Sequence, residues 1–191
     1  QMIASNIPTT PAYTSIFTGL NAFTHRIITH GSENIMLDKN IPLLPEILGE
    51  KGYTTAAVTN LYNIKPWFAR GFKYYINPTS EDWQAIKGEE INALAIPWLK
   101  THKNEKFFLF LHYWDPHSPY EPPEHMKRLY YKGNEKDPDN HSLDKHKKQY
   151  VYPFYKKWHY DKIGPDITDA NYITALYDAE ITYVDQKVKE I

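Results

Sequence analysis

An α/β layered domain with a mostly parallel sheet flanked by helices is the fold class this sequence predicts, and three observations carry it. Phe107-Phe-Leu-Phe-Leu-His-Tyr113 is apolar without alternation, the pattern of a strand buried on both faces of a parallel sheet. Thr54 to Thr59 is a β-branched run of strand length. Helical segments separate these runs, in the order helix, helix, strand, helix, strand and a long final helix.

Taken in order, Pro8 to Leu20 joins a proline-bounded turn to a short helix. Thr9 or Thr10 fits the cap, Pro11 the first helical position and Gly19 the stop. Pro42 to Lys51 is a second short helix, closed by Gly52. Glu89 to Lys100 is helical by pattern, with a bend expected at Pro97. Residues 132 to 166 are rich in Lys, Asp, His, Tyr and Pro and read as a variable polar excursion on the surface. His141, His146 and His159 lie there at no metal-binding spacing and read as solvated. Thr168 is expected to cap the last helix, whose apolar face is Ile173, Tyr177, Ile181, Val184, Val188 and Ile191. Nothing in the sequence stops that helix, and the first residues run straight into a turn. Residues 1–191 are therefore expected to be an internal fragment of one domain.

The composition excludes several classes. A length of 191 residues suffices for one domain with its own core. A net charge of -1 gives no reason to expect nucleic acid or an anionic membrane as partner. No run approaches the roughly 18 apolar residues of a membrane span. With no cysteine, disulfides, thiolate metal sites and cysteine nucleophiles are absent from this segment.

Two constellations carry chemistry. At Thr9-Thr10-Pro11 a hydroxyl heads a helix, among unpaired N–H groups and at the positive end of the dipole. That position suits a nucleophile attacking a tetrahedral phosphate or sulfate; it equally suits a plain helix cap. Leu111-His-Tyr-Trp-Asp-Pro-His-Ser-Pro-Tyr120 leaves the carboxyl end of a strand, where open α/β sheets place ligands. His112 or His117 there can donate to an anionic ester or protonate a leaving oxygen; both can also be structural rings bonded to backbone. Asp178, Glu180 and Asp185 on the last helix read as solvated surface or as partners of an N–H group, not as a ligand set. Trp67, Trp83, Trp98, Trp114 and Trp158 are core filler, or line a sugar-binding face.

Together these segments resemble the sulfatase family of the alkaline phosphatase superfamily. Thr9-Thr-Pro-Ala-Tyr-Thr-Ser-Ile-Phe-Thr-Gly-Leu20 is similar to its signature turn, in which Cys or Ser, any residue, Pro, Ser and Arg precede a helix ending in Thr-Gly. Ile47 to Val58 resembles its helix-to-strand passage, Phe107 to Pro123 its strand and Asp-Pro-His loop, and Tyr177 to Asp185 the helix before its last metal-binding strand. The resemblance implies an alkaline-phosphatase-like fold and a sulfuric ester hydrolase. It makes Thr9 nucleophile and metal ligand, His117 the contact to the substrate anion, and His112 a second candidate for that contact. It also implies a divalent metal, Ca or Zn, in the full-length protein, with its remaining ligands outside this segment.

The departures set the alternatives. Thr9 cannot become the formylglycine of sulfatases proper. Ala12 and Tyr13 replace the motif's Ser and Arg, and Lys-x-His is missing after Val58. The expected substrate is a small sulfate or phosphate ester, and the segment alone is expected not to turn over. An unmodified Thr also matches phosphodiester or phosphonate hydrolases and phosphotransferases of the superfamily. A non-catalytic anion- or glycan-binding member is the alternative of another class.

Overall fold

The computed structural model describes residues 4, 6–31, 34–78 and 86–191, which leaves Trp83 outside the described residues. The chain divides into two compact units, Gln1–Thr79 with Ala93–His112, and Ser80–Asn92 with Tyr113–Ile191. The division falls inside one helix, α4 (Gly88–His102), which runs through Pro97.

In the first unit β1 (Thr54–Val58) lies between β2 (Tyr74–Ile76) and β3 (Phe107–Leu111), and both pairings are parallel. Thr54 stands opposite Phe107 and Val58 opposite Leu111. Ala56, Ala57 and Val58 are fully buried, whereas β3 is half-buried along its length. The sequence predicts full burial for β3 because its apolar run is unbroken. The structure gives the central place to β1, and β3 pairs on one edge only among the described residues.

Helix α1 (Thr9–Thr18) precedes α2 (Ala22–His25) and α3 (Leu44–Glu50). Pro8 is the N-cap of α1, so Thr9 and not Pro11 opens the helix. Pro11 falls third, where a missing N–H still removes no ladder bond. Gly19 ends the helix as expected, at φ 70° with its N–H on the Ser15 carbonyl. Phe17 sits in the core with Leu43, Trp67 and Phe68, and meets Phe110 of β3 edge-on at 5.0 Å.

Arg70 locks α3 to the turn before β2. Its Nε and Nη2 donate to the two carboxylate oxygens of Glu46 at 3.1 and 2.9 Å, and Nη2 also reaches the Ile41 carbonyl at 3.0 Å. The next residue, Gly71, has φ +79°, and a Cβ there would overlap the Glu46 backbone.

The second unit is organised by α8 (Ala170–Glu190). Its cap is Asp169, one residue later than the sequence suggests: Oδ1 accepts from Asn171 N–H and Oδ2 from the Tyr131 hydroxyl. Thr168 is diverted, its hydroxyl donating to the Asp137 carbonyl at 2.7 Å. The buried face of α8 is also not the expected one. Tyr172, Leu176, Ala179, Glu180 and Tyr183 are buried, while Ile181 and Val188 are exposed. Tyr177 of the expected face is exposed, while Tyr183 is buried because its hydroxyl finds a partner in Glu89 Oε2 at 2.6 Å. Between residues 132 and 166 lie only short helical pieces, α5 (Asp144–Lys147), α6 (Tyr152–Tyr155) and α7 (Asp161–Ile163), with a π-helical stretch at Lys156–Tyr160.

Replacing Gly71 by Ala is expected to destabilise the protein by roughly 1–3 kcal/mol, from a strained positive φ and the overlap with Glu46. Urea unfolding measures it; an unchanged midpoint would refute the packing described for this turn.

Candidate active site

The amino end of α1 is held by a network of small polar side chains. Thr10 is fully buried, its hydroxyl 2.9 Å from His30 Nδ1. Thr14 donates to the Thr10 carbonyl at 2.7 Å and accepts from Trp67 Nε1 at 3.1 Å. Ser15 Oγ accepts from Asn6 at 2.7 Å and lies 2.8 Å from His25 Nε2. Because His25 Nδ1 accepts from the Ile27 N–H, its proton sits on Nε2, and burial lowers its pKa. Thr9, partly exposed, therefore stands in the first turn of a firmly seated ten-residue helix.

Tyr13 occupies the place where the signature turn carries arginine. It packs edge-on against Phe110 at 5.8 Å and His112 at 4.9 Å, and burial pushes its pKa up to about 12. That side is a neutral aromatic wall. His112, just past β3, is 4% exposed, with Nδ1 on the Thr59 hydroxyl at 3.1 Å and its N–H extending the ladder to the Val58 carbonyl. Where the sequence lacks Lys-x-His, the chain carries a buried lysine, Lys65, with its ammonium 5.8 Å from the Trp67 ring. Thr9 and His112 belong to the first unit; His117 belongs to the second.

In the second unit His117 is exposed on the loop that follows Asp115. Its Nδ1 donates to the Ser118 carbonyl at 2.7 Å, and its ring meets Trp114 and Trp158 edge-on at 5.5 and 5.7 Å. With Nδ1 donating to a carbonyl, Nε2 accepts in the neutral ring and donates only in the imidazolium. A contact from Nε2–H to an anionic ester thus belongs to the charged form.

Buried charges fix that loop. Lys87 Nζ lies 3.3 Å from Asp115 Oδ1 and 3.6 Å from Glu180 Oε1, and donates to the Glu121 carbonyl at 3.1 Å. Asp115 Oδ2 accepts from Gly88 N–H, and Glu180 Oε1 from Glu121 N–H at 2.8 Å. Asp115 and Glu121, either side of His117, are thereby tied to one lysine and to α8. Sequence reading allows Glu180 a solvated surface or an N–H partner; the structure buries it completely, with Oε1 on the Glu121 N–H and Oε2 unpartnered. Burial raises Glu180 to about 7 against the pull of Lys87, with Asp115 adding to the rise, and burial also raises Asp115. Asp178 and Asp185 are exposed, as expected. His159, expected to be solvated, is 5% exposed against Tyr120 and Tyr160. Trp67, Trp98 and Trp114 are buried.

Among the described residues no three His, Asp or Glu side chains come together to hold a metal ion. Among the described residues the donors do not make a divalent site. No helix of the described residues is long and apolar enough to cross a membrane.

The sulfatase family profile matches residues 1–191, and the chain belongs to the sulfatase family. Among solved structures it is similar to BT4656 in complex with its substrate D-glucosamine-2-N,6-O-disulfate, at TM-score 0.58 and 16% identity, covering 98% of this chain and 46% of that one. It is also similar to Ps i-CgsB in complex with k-i-k-neocarrahexaose, at TM-score 0.57 and 14% identity over 97% of this chain and 44% of that one. A protein in the alkaline phosphatase superfamily from Vibrio parahaemolyticus gives TM-score 0.53 and 16% identity over 100% of this chain and 41% of that one. The chain thus spans less than half the length of these structures. They share its fold, and comparison with curated proteins finds no match.

The pH dependence of the Lys87 cluster is testable. A carboxyl raised from 4.5 to about 7 binds its proton more tightly folded than unfolded. The stability it contributes is full at low pH and is lost as pH rises through the folded value. The stability of E180Q relative to the parent should therefore grow between about pH 5 and about pH 8, by on the order of 3 kcal/mol. Urea midpoints across that range read it, and a constant difference would contradict the buried, raised carboxyl.

Proposed function

We propose that the complete protein hydrolyses sulfate esters, with Thr9 as an unmodified nucleophile. Thr9 Oγ attacks sulfur, the ester oxygen leaves with its electron pair and takes up a proton, and water then releases sulfate from Thr9. His117, as imidazolium, would hold the anion or assist the leaving oxygen, with His112 a second candidate for that contact. First-turn N–H groups of α1 would face the non-bridging oxygens.

The observation that carries this reading is the seat of Thr9. The residue at the nucleophile position of the signature turn opens a helix whose other Thr and Ser hydroxyls are committed to His25, His30, Trp67 and backbone. Membership of the sulfatase family supports the reaction class. The sulfated glucosamine described as the substrate of BT4656 fits a sulfate-ester substrate here.

In the complete protein a divalent metal, Ca or Zn, would take Thr9 as one ligand and its other ligands from outside residues 1–191. When bound it would offset negative charge on the ester. Because the described donors are too few, the 191-residue chain alone is proposed not to turn over.

The identity of Thr9 favours a second reading in the same fold, phosphodiester or phosphonate hydrolysis or phosphoryl transfer. The aromatic wall at Tyr13, in place of a guanidinium, favours a third, a non-catalytic anion- or glycan-binding member.

Assays of the complete protein on an aryl sulfate and an aryl phosphodiester separate these readings. The first predicts faster turnover of the sulfate, with T9A lowering kcat at least about 10³-fold and H117A about 10²-fold. Preference for the phosphodiester would move the assignment to phosphoryl chemistry. Unchanged turnover in T9A would exclude Thr9 as nucleophile.

A further inference from the structure

A cavity of about 180 Å³ opens in the second unit beside the His117 loop. Its walls come from that loop (Ser118, Tyr120) and from the polar excursion (His146, Tyr155, His159, Tyr160), with Ile173 of α8 behind them. Four of these seven residues lie in the polar excursion, which the four segments resembling the sulfatase signature leave out.

The chemistry of the lining defines an occupant. No Lys, Arg, Asp or Glu faces the cavity, so nothing there compensates a charged ligand. Aromatic rings enclose it: Tyr120 lies 4.7 Å from His159, and His146 lies 5.6 Å from Tyr160 and 5.8 Å from Tyr155. Among these rings are polar groups in number, including the Ser118 hydroxyl, three tyrosines and two imidazoles. His159 is 95% buried by its 5% exposure, yet its Nδ1 has no hydrogen-bond partner. Burial, with His146 nearby, lowers its pKa to about 4, so the ring is neutral near pH 7. A neutral imidazole with an unmatched nitrogen is costly to bury unless a bound group supplies the partner.

We propose that this cavity binds one uncharged, polyhydroxylated ring, a sugar residue, through ring faces packed on tyrosine and a hydroxyl paired with His159. The volume equals that of about six liquid waters, which suits a single ring and not an oligosaccharide. A plain aromatic ring would fill the space but leave the polar groups unpaired. That the sugar is the alcohol part of an ester held at His117 rests on the hydrolase reading; the binding itself does not.

Amide resonances of Ser118 and Tyr120 in the ¹⁵N-labelled chain report occupancy during titration with methyl β-D-glucopyranoside and, separately, with phenol. The expected result is a saturable shift with the glucoside and weaker binding of phenol. His159→Phe, which keeps a buried ring, and Tyr155→Ala, at a partly exposed wall, should each weaken glucoside binding about fivefold. An unchanged far-UV circular dichroism spectrum confirms that each variant is folded. No saturable shift, tighter binding of phenol, or an affinity indifferent to both substitutions overturns the proposal. Loss of ester turnover with glucoside binding intact would overturn the hydrolase reading and leave this site standing.

Discussion

Two buried carboxylates share a single ammonium in the second unit, and the shape of the His117 loop follows from that imbalance. Asp115 and Glu180 both approach Lys87, while backbone N–H groups of Gly88 and Glu121 supply the remaining donors. One lysine cannot offset two desolvated anions, and Glu180, raised to about 7 by burial, keeps its proton toward neutral pH. Asp115 starts the turn that exposes His117, and Glu121 ends it. Their common attachment limits where the imidazole can travel even though the ring itself faces solvent.

The first unit solves a similar problem with neutral groups. Thr10, Thr14 and Ser15 bury hydroxyls on α1, and each finds a histidine, a tryptophan or a carbonyl. The helix is thereby seated before any ligand arrives, which is the condition for an oriented nucleophile in its first turn. A motif arginine would bring a charge into this packing; Tyr13 fills the place with a ring that stays protonated.

Much of the fold was legible in the sequence because it rests on local patterns. The β-branched run from Thr54, the apolar run from Phe107 and the Gly19 stop each declare themselves within a few residues, whereas the roles of Thr9 and His117 are proposals drawn from the signature spacing. What escaped depends on partners distant in the chain. Glu180 reads as surface or as the partner of an N–H group, and its burial beside Lys87 escapes because nothing local announces that lysine. The buried face of α8 is rotated away from its β-branched residues: Tyr172 packs on Tyr131, whose hydroxyl donates to the Asp169 cap, and Tyr183 donates to Glu89 far upstream. His159 reads as solvated until Tyr120 closes over it. Arg128 beside Tyr131 and Tyr172 had no signal at all, its role appearing only where its guanidinium reaches Glu135 and both rings.

The most direct measurement is mass spectrometry of the complete protein, acid-quenched while it turns over an aryl sulfate. A sulfo group on the peptide carrying Thr9, appearing and decaying with product, is the predicted result. Product formation with that peptide unmodified throughout would contradict it.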